Sequence, residues 1–298
     1  MTVELADEAL NGSTGSTDAA RAAETREPVL DVTGLEVHYG SRRRRRLALG
    51  GVSLSVAPGE TVGVIGETGS GKSTFARAVL GLVRPSAGSI VIGGEDVSSY
   101  GKRQWRDLRR RGLIQYVFQD PLRSLDPDLT VEDSLTEPLL VQGVPGKEAA
   151  ERARAFLARV SLAEELLGRL PGELSGGQRQ RVAVARSLVT EPRLVILDEP
   201  VSALDSANRV QILGILKELR AAGVSLVFIS HDLGSVAGIA DRVAVLHQGE
   251  LVEVGAARDV INQPRHPYTR LLVRSAPTLR TAPADRAERQ ALRALLNV

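Results

Sequence analysis

The chain has 298 residues and a formal charge of +2, with 38 basic against 36 acidic side chains. That length fits two ordinary domains or one large α/β unit with a subdomain, and the near-balance of charge argues against a dominant nucleic-acid surface. Cysteine is absent, which excludes disulfide scaffolds, cysteine-ligated zinc, iron–sulfur clusters and a thiol nucleophile; only four basic residues are lysines, Lys72, Lys102, Lys147 and Lys217.

Residues 1–27 carry six acids and two arginines with few large apolar side chains, a composition expected to stay disordered. From Val29 the pattern alternates, predicting strands over 29–39 and 47–56, with the run Arg42 to Arg46 between them read as a solvated hairpin loop and a phosphate or lipid contact as the alternative. A short apolar strand, TVGVI, then enters a glycine-rich loop and a helix over 74–83 expected to end at Pro85. The strand SIVIGG, a basic helix over 102–111 and the strand IQYVFQ follow, with Trp105 read as a packing anchor. Beyond Gln119 the period is helical to about residue 190, with breaks expected at Pro138, Gly143 to Gly146, and Pro171 to Gly172. Two apolar strands, RLVILDEP and VSLVFIS, alternate with helices over 206–222 and 233–240, and RVAVLHQGELVEVG reads as a hairpin. The fold class is therefore α/β, a mostly parallel core sheet with an antiparallel β portion and a helical subdomain inserted at about 120–190. No stretch reaches the roughly 18–20 apolar residues that span a bilayer, and the first residues lack a secretory signal's apolar run, so the expected compartment is cytoplasmic.

Gly66-Glu67-Thr68-Gly69-Ser70-Gly71-Lys72-Ser73 fits G-x4-G-K-[ST] between a strand and a helix. Such a loop lets backbone N–H groups and a helix N-terminus face phosphate oxygens, with Lys72 reaching the β/γ-phosphates and the Ser73 hydroxyl available to Mg²⁺. Thr74 continues the loop into the helix. A nucleotide site also needs a carboxylate for the metal and a group that activates water. Asp198 and Glu199, at the C-terminal end of an apolar strand, suit those two roles, Asp198 toward Mg²⁺ and Glu199 toward water.

Leu174-Ser175-Gly176-Gly177-Gln178 reads LSGGQ, and with it the order and spacing from Tyr39 to about Gly255 resemble the ATP-binding subunits of ABC transporters. The resemblance implies that Tyr39 stacks on adenine and that Gln119 contacts Mg²⁺ or the attacking water. It implies further that Ser202 to Asp205 form the D-loop and that His231 contacts the γ-phosphate. Ser175, Gly176, Gly177 and Gln178 would complete the ATP site of another subunit, so a head-to-tail pair is expected. The segment Asp120 to Pro127, in which Asp126 stands where asparagine is usual, and Pro264 to Leu272 with its HPYT run resemble the oligopeptide, dipeptide and nickel importer subfamily. That implies an ATPase of an importer, working with a second ABC ATPase subunit, two membrane permeases and an extracytoplasmic binding protein, at the cytoplasmic face of the membrane. Residues 28–255 would be the nucleotide-binding domain and 256–298 a C-terminal extension for subunit packing, without the iron–sulfur cluster of some relatives, because cysteine is absent. The alternative is a soluble ABC ATPase acting on the ribosome or nucleic acid. Such chains usually carry two ATPase domains, a long coiled-coil insertion or zinc-binding cysteines.

Overall fold

The computed structural model describes residues 27–40, 44–118, 124–202 and 204–275. The tail up to residue 26, Arg42, Arg43, Gln119 with the Asp120 to Arg123 segment, Ala203 and the extension beyond 275 lie outside the described residues.

Strands β1 (Leu30–Tyr39), β2 (Arg46–Val56), β4 (Ala87–Ile92) and β5 (Glu95–Asp96) make an antiparallel four-stranded sheet in the order β2-β1-β4-β5. Arg44 and Arg45 are exposed, as the hairpin-loop reading requires, whereas Arg46 is already in β2, paired with Tyr39. The second sheet holds β3 (Thr61–Ile65), β6 (Ile114–Val117), β7 (Leu194–Asp198), β8 (Ser225–Ile229), β9 (Arg242–His247) and β10 (Glu250–Ala256), in the order β10-β9-β3-β8-β7-β6. Only β10 runs antiparallel to its neighbour there.

Every residue of β3, β7 and β8 is buried, and their alternate side chains feed two different cores. Val64, Ile196, Val227 and Ala244 pack toward the antiparallel sheet, while Val195, Leu197, Phe228 and Val245 pack toward the helices. Continuous apolar runs are what a sheet covered on both faces demands. The helices α3 (Val131–Val141), α4 (Gly146–Arg159) and α5 (Gly176–Leu188) form the inserted helical part. α6 (Ser206–Ala221), α7 (Leu233–Ile239), α8 (Ala257–Asn262) and α9 (Pro267–Ser275) add residues to the same core.

On the other face lie α1 (Lys72–Val79) and α2 (Lys102–Arg110), through Phe75, Trp105 and Leu108. Trp105 is a packing anchor: it is 9% exposed, edge-on to Tyr100, and occupies the space a Cβ at Gly81 would need.

Two sequence expectations are corrected. α1 ends at Val79, short of the expected Val83 and well before Pro85, because Gly81 adopts φ 66° and the N–H groups of Gly81 and Leu82 turn back to the carbonyls of Ala78 and Arg77. α3 runs through Pro138. The proline removes one backbone bond near the helix end, and the fully buried Leu135 and Leu139 on either side of it hold the turn by packing.

Candidate functional site

The loop from Gly66 to Ser73 joins β3 to α1 at the C-terminal edge of the parallel sheet. Glycine is required at its two ends. At Gly66, φ 152°, a Cβ would sit 2.2 Å from the Leu246 carbonyl oxygen, and at Gly71, φ 112°, it would sit 2.7 Å from Leu49. From behind, Gly249 N–H donates to the Ser70 carbonyl at 2.9 Å.

Lys72 folds back over this loop. Its Nζ donates to the carbonyls of Gly66 and Glu67, each at 2.8 Å, and lies 3.5 Å from Ser70 Oγ. Burial pushes the ammonium below its ordinary range, and the carboxylates of Glu199, Asp198 and Glu67 partly restore it.

Strand β7 delivers Asp198, 5% exposed, to the same place. Its Oδ2 accepts a 2.7 Å hydrogen bond from the Tyr116 hydroxyl on neighbouring β6, and burial with this partner drives the phenol far above its ordinary range. Glu199 follows in the left-handed region, φ 52°, a conformation that is costly without glycine and is found where surrounding structure over-determines it. Here its N–H donates to the Ile229 carbonyl at 2.9 Å, and its carbonyl accepts from the N–H and hydroxyl of Ser202. The turn aims the carboxylate at His231, whose Nδ1 lies 2.5 Å from Glu199 Oε2, an ion pair when the ring is protonated. That approach lacks hydrogen-bond angles, so the buried Oε2 has no hydrogen-bond donor among the described residues.

Tyr39, Thr68, Gly69, Gly71, Lys72, Ser73, Thr74, Asp198 and Glu199 line one open cavity of about 710 Å³. Tyr39 stands at its rim, 39% exposed, with its hydroxyl 3.5 Å from Thr74 Oγ1. Gly66, Glu67 and Ser70 shape the loop without lining the cavity, and His231 lies against Glu199 without lining it either. Gln119 lies outside the described residues. Arg46 and Gln248 also line the cavity, and Tyr116 fixes Asp198. Arg46 belongs to the arginine run read in the sequence as a solvated loop, whereas Gln248 and Tyr116 were not singled out, because no motif marks them and only the pairing of β3 with β9 and of β6 with β7 brings them near.

The LSGGQ residues do not join this cavity. Ser175 caps α5, its Oγ accepting from Gln178 N–H at 3.2 Å while Gln178 Oε1 accepts from Ser175 N–H at 2.8 Å. Ser175 and Gly176 are exposed. Gly177 packs so closely on α6 that a Cβ there would sit 2.4 Å from Asn208 Oδ1. Asn208 is itself held by Asp205, which caps α6 through Asn208 N–H at 2.8 Å and takes a second bond from Asn208 Nδ2 at 2.7 Å.

Residues 49–202 match the family model described as ABC transporter, and residues 252–295 match that of the oligopeptide/dipeptide transporter C-terminal region. A Brucella ovis protein provisionally named a peptide import ATP-binding protein is 45% identical over 90% of this chain and 84% of its own length. The oligopeptide transport ATP-binding protein OppF of Salmonella typhimurium is 41% identical over 85% of this chain and 79% of its own. Among solved structures, the dimeric ATP-binding cassette MJ0796 in a post-hydrolysis state with ADP and Pi superposes with a TM-score of 0.71 at 30% identity, covering 77% of this chain and 99% of that one. With a phosphate-type loop, an acidic pair and a capped LSGGQ helix all in place, the chain belongs to the ABC transporter family as an ATP-binding cassette joined to an oligopeptide/dipeptide-type C-terminal region.

Proposed function

We propose that this cassette binds and hydrolyses ATP to drive import of peptides or related solutes. The observation that carries the reading is the cavity in which Lys72 and Ser73 of the loop face Asp198 and Glu199 of β7. The relatives' names, peptide import and oligopeptide transport, support the solute class.

Adenine rests on Tyr39, and the phosphates lie along the backbone from Gly66 to Thr74, with Lys72 leaving its carbonyls for the β/γ-phosphates. The oxygen donors of the cavity fit one Mg²⁺ brought in with the nucleotide: the Ser73 hydroxyl and the Asp198 carboxylate both line it, and Gln119 would be the third residue to hold the ion. Among the described residues no cluster of three or more His, Cys, Asp or Glu side chains forms a stand-alone metal site. Bound there, Mg²⁺ would neutralise phosphate charge. Glu199, whose buried Oε2 lacks a hydrogen-bond donor, accepts the proton of the attacking water as its oxygen bonds to the γ-phosphorus and the bond to the ADP oxygen breaks. His231 orients that carboxylate and reaches toward the γ-phosphate.

The LSGGQ turn, in which Ser175 and Gly176 are exposed, Gln178 is half-buried and Gly177 is buried against Asn208, serves the ATP site of a second ABC ATPase subunit, with Asp205 bracing the approach. Two membrane permeases and an extracytoplasmic binding protein complete the assembly, so the chain works peripherally at the cytoplasmic membrane face. No helix among the described residues is long and apolar enough to cross a membrane. Residues 28–255 constitute the cassette and 256–298 the extension, which cannot hold a cysteine-ligated iron–sulfur cluster. Glu199→Gln tests the reading: with the partner ATPase present, turnover should fall by about 10²- to 10⁴-fold while ATP affinity is kept. Unchanged hydrolysis would remove Glu199 from its role.

A further inference from the structure

Tyr268, in the HPYT run of the C-terminal region, is the largest side chain that the fold buries completely, at 1% exposure. Its ring stacks on His247 with centroids 3.9 Å apart and planes at 29°, and a phenylalanine would fill the same space. The hydroxyl does something a phenylalanine cannot: it accepts a 2.8 Å hydrogen bond from the backbone N–H of Glu67 in the phosphate loop, 201 residues earlier in the chain.

That N–H belongs to the peptide unit joining Gly66 to Glu67. The carbonyl of the same unit accepts the 2.8 Å bond from Lys72 Nζ. One peptide plane is thus gripped at both edges, by the loop lysine on one side and by the C-terminal region on the other. Tyr268 is fixed in turn. Its own N–H donates to His266 Nδ1 at 3.2 Å, and both carboxylate oxygens of Glu253 on β10 accept from the N–H groups of Arg265 and His266, at 2.9 and 3.0 Å.

We propose that Tyr268 is a positioning residue for nucleotide binding, latching the Gly66–Glu67 peptide so that the loop keeps its cradle when Lys72 leaves the carbonyl for a phosphate. The physical basis is pre-organisation: a loop already held in its binding conformation loses less freedom on binding. A buried amide deprived of its acceptor also carries a desolvation cost or turns to find another partner. The C-terminal region therefore bears directly on the affinity of the cassette for ATP. This rests on the loop being the phosphate cradle, and the controls below separate the two ideas.

The test is Tyr268→Phe in the full chain, measured for ATP affinity in the presence of Mg²⁺, for KM and kcat with the partner ATPase, and for amide exchange at Glu67. Loss of one buried hydrogen bond predicts ATP binding weakened about fivefold or more and KM raised in proportion. It also predicts kcat held within about twofold and Glu67 exchange faster by about tenfold. A purely structural role would instead lower thermal stability and leave affinity and KM of the folded protein unchanged. Glu253→Ala, which unclasps Arg265 and His266 without touching the loop, should weaken ATP in the same direction and keeps the test decisive if Tyr268→Phe misfolds. Wild-type ATP affinity in a folded Tyr268→Phe protein, with Lys72→Ala failing to bind, overturns the latch and leaves the cradle standing. Normal binding by Lys72→Ala overturns both.

Discussion

Tyr116→Phe isolates one hydrogen bond beneath the site. The ring would stay, edge-on to Phe118 with centroids 4.6 Å apart, and only the hydroxyl that donates to Asp198 Oδ2 at 2.7 Å would go. A hydrogen bond to a charged group is worth about 1.5–3 kcal/mol. Two features of the structure place the loss toward the lower part of that range. Asp198 lines an open cavity, so water can replace the lost donor, and the Lys72 side chain lines the same cavity and still faces it. The expectation is about 1–2 kcal/mol, or a fall of roughly 2–8 °C in melting temperature for a chain of this size. Urea denaturation without nucleotide measures it. Tyr100→Phe is the matched control, because its hydroxyl also donates to a carboxylate, Glu95, at a site where that acid is 39% exposed and also paired with Arg111. A half-buried pair of this kind, whose acid keeps Arg111 as a second partner, should cost less, about 0.5 kcal/mol. Equal losses in the two variants, or a Tyr116→Phe loss below about 0.5 kcal/mol, would refute the claim that burial of the Asp198 partner sets the magnitude.

Gly177→Ala would drive a methyl into Asn208 and break its bond to Asp205, costing about 1–2 kcal/mol after the roughly 1 kcal/mol that alanine gains over glycine in a helix; differential scanning calorimetry reads it, and a stabilised protein would contradict the close packing. Asp232→Ala removes the cap of α7, where Asp232 accepts from Gly234 N–H at 3.0 Å and from the Ser235 hydroxyl at 2.6 Å, for about 1 kcal/mol at neutral pH. Burial pushes the Asp232 carboxyl up, but Ser235, Arg209 and the Gly234 amide outweigh it and hold it below its ordinary 3.8. Its contribution is therefore complete above that ordinary value and is lost as pH falls through the depressed folded one, so wild type and variant should converge in acid denaturation.

Much of the fold and site was legible in sequence because it is local. The loop from Gly66 to Ser73, the strand ending at Asp198 and Glu199, and the Ser175 cap each lie within a few residues, where chain geometry alone dictates spacing. The contacts that were missed are long-range. Tyr116 meets Asp198 82 residues away, and Tyr268 meets Glu67 only after β9 has been placed beside β3. Pro138 misled because propensity argues for a break and buried neighbours prevail, and Pro85 misled because Gly81 supplies a left-handed residue four positions earlier. In the HPYT run, Tyr268 also packs into the core of its own chain, a long-range contact that no local rule supplies.

The same distinction bears on how the two halves of the site are tied together. From Asp198 the chain passes through the strained Glu199, whose carbonyl is clasped by Ser202, and reaches Asp205 within seven residues. Asp205 holds Asn208, and Asn208 fills the space against Gly177 in the LSGGQ helix. Contacts as tight as these leave little room to absorb movement, since packed interiors transmit displacement and do not cushion it. Asp205 and Asn208 thereby fix the packing of α5 on α6 at the buried Gly177, while Ser175 and Gly176 just before it stay exposed. The two LSGGQ glycines thus differ in what requires them: at Gly177 a Cβ would sit 2.4 Å from Asn208, whereas at Gly176 it would meet nothing within 4 Å.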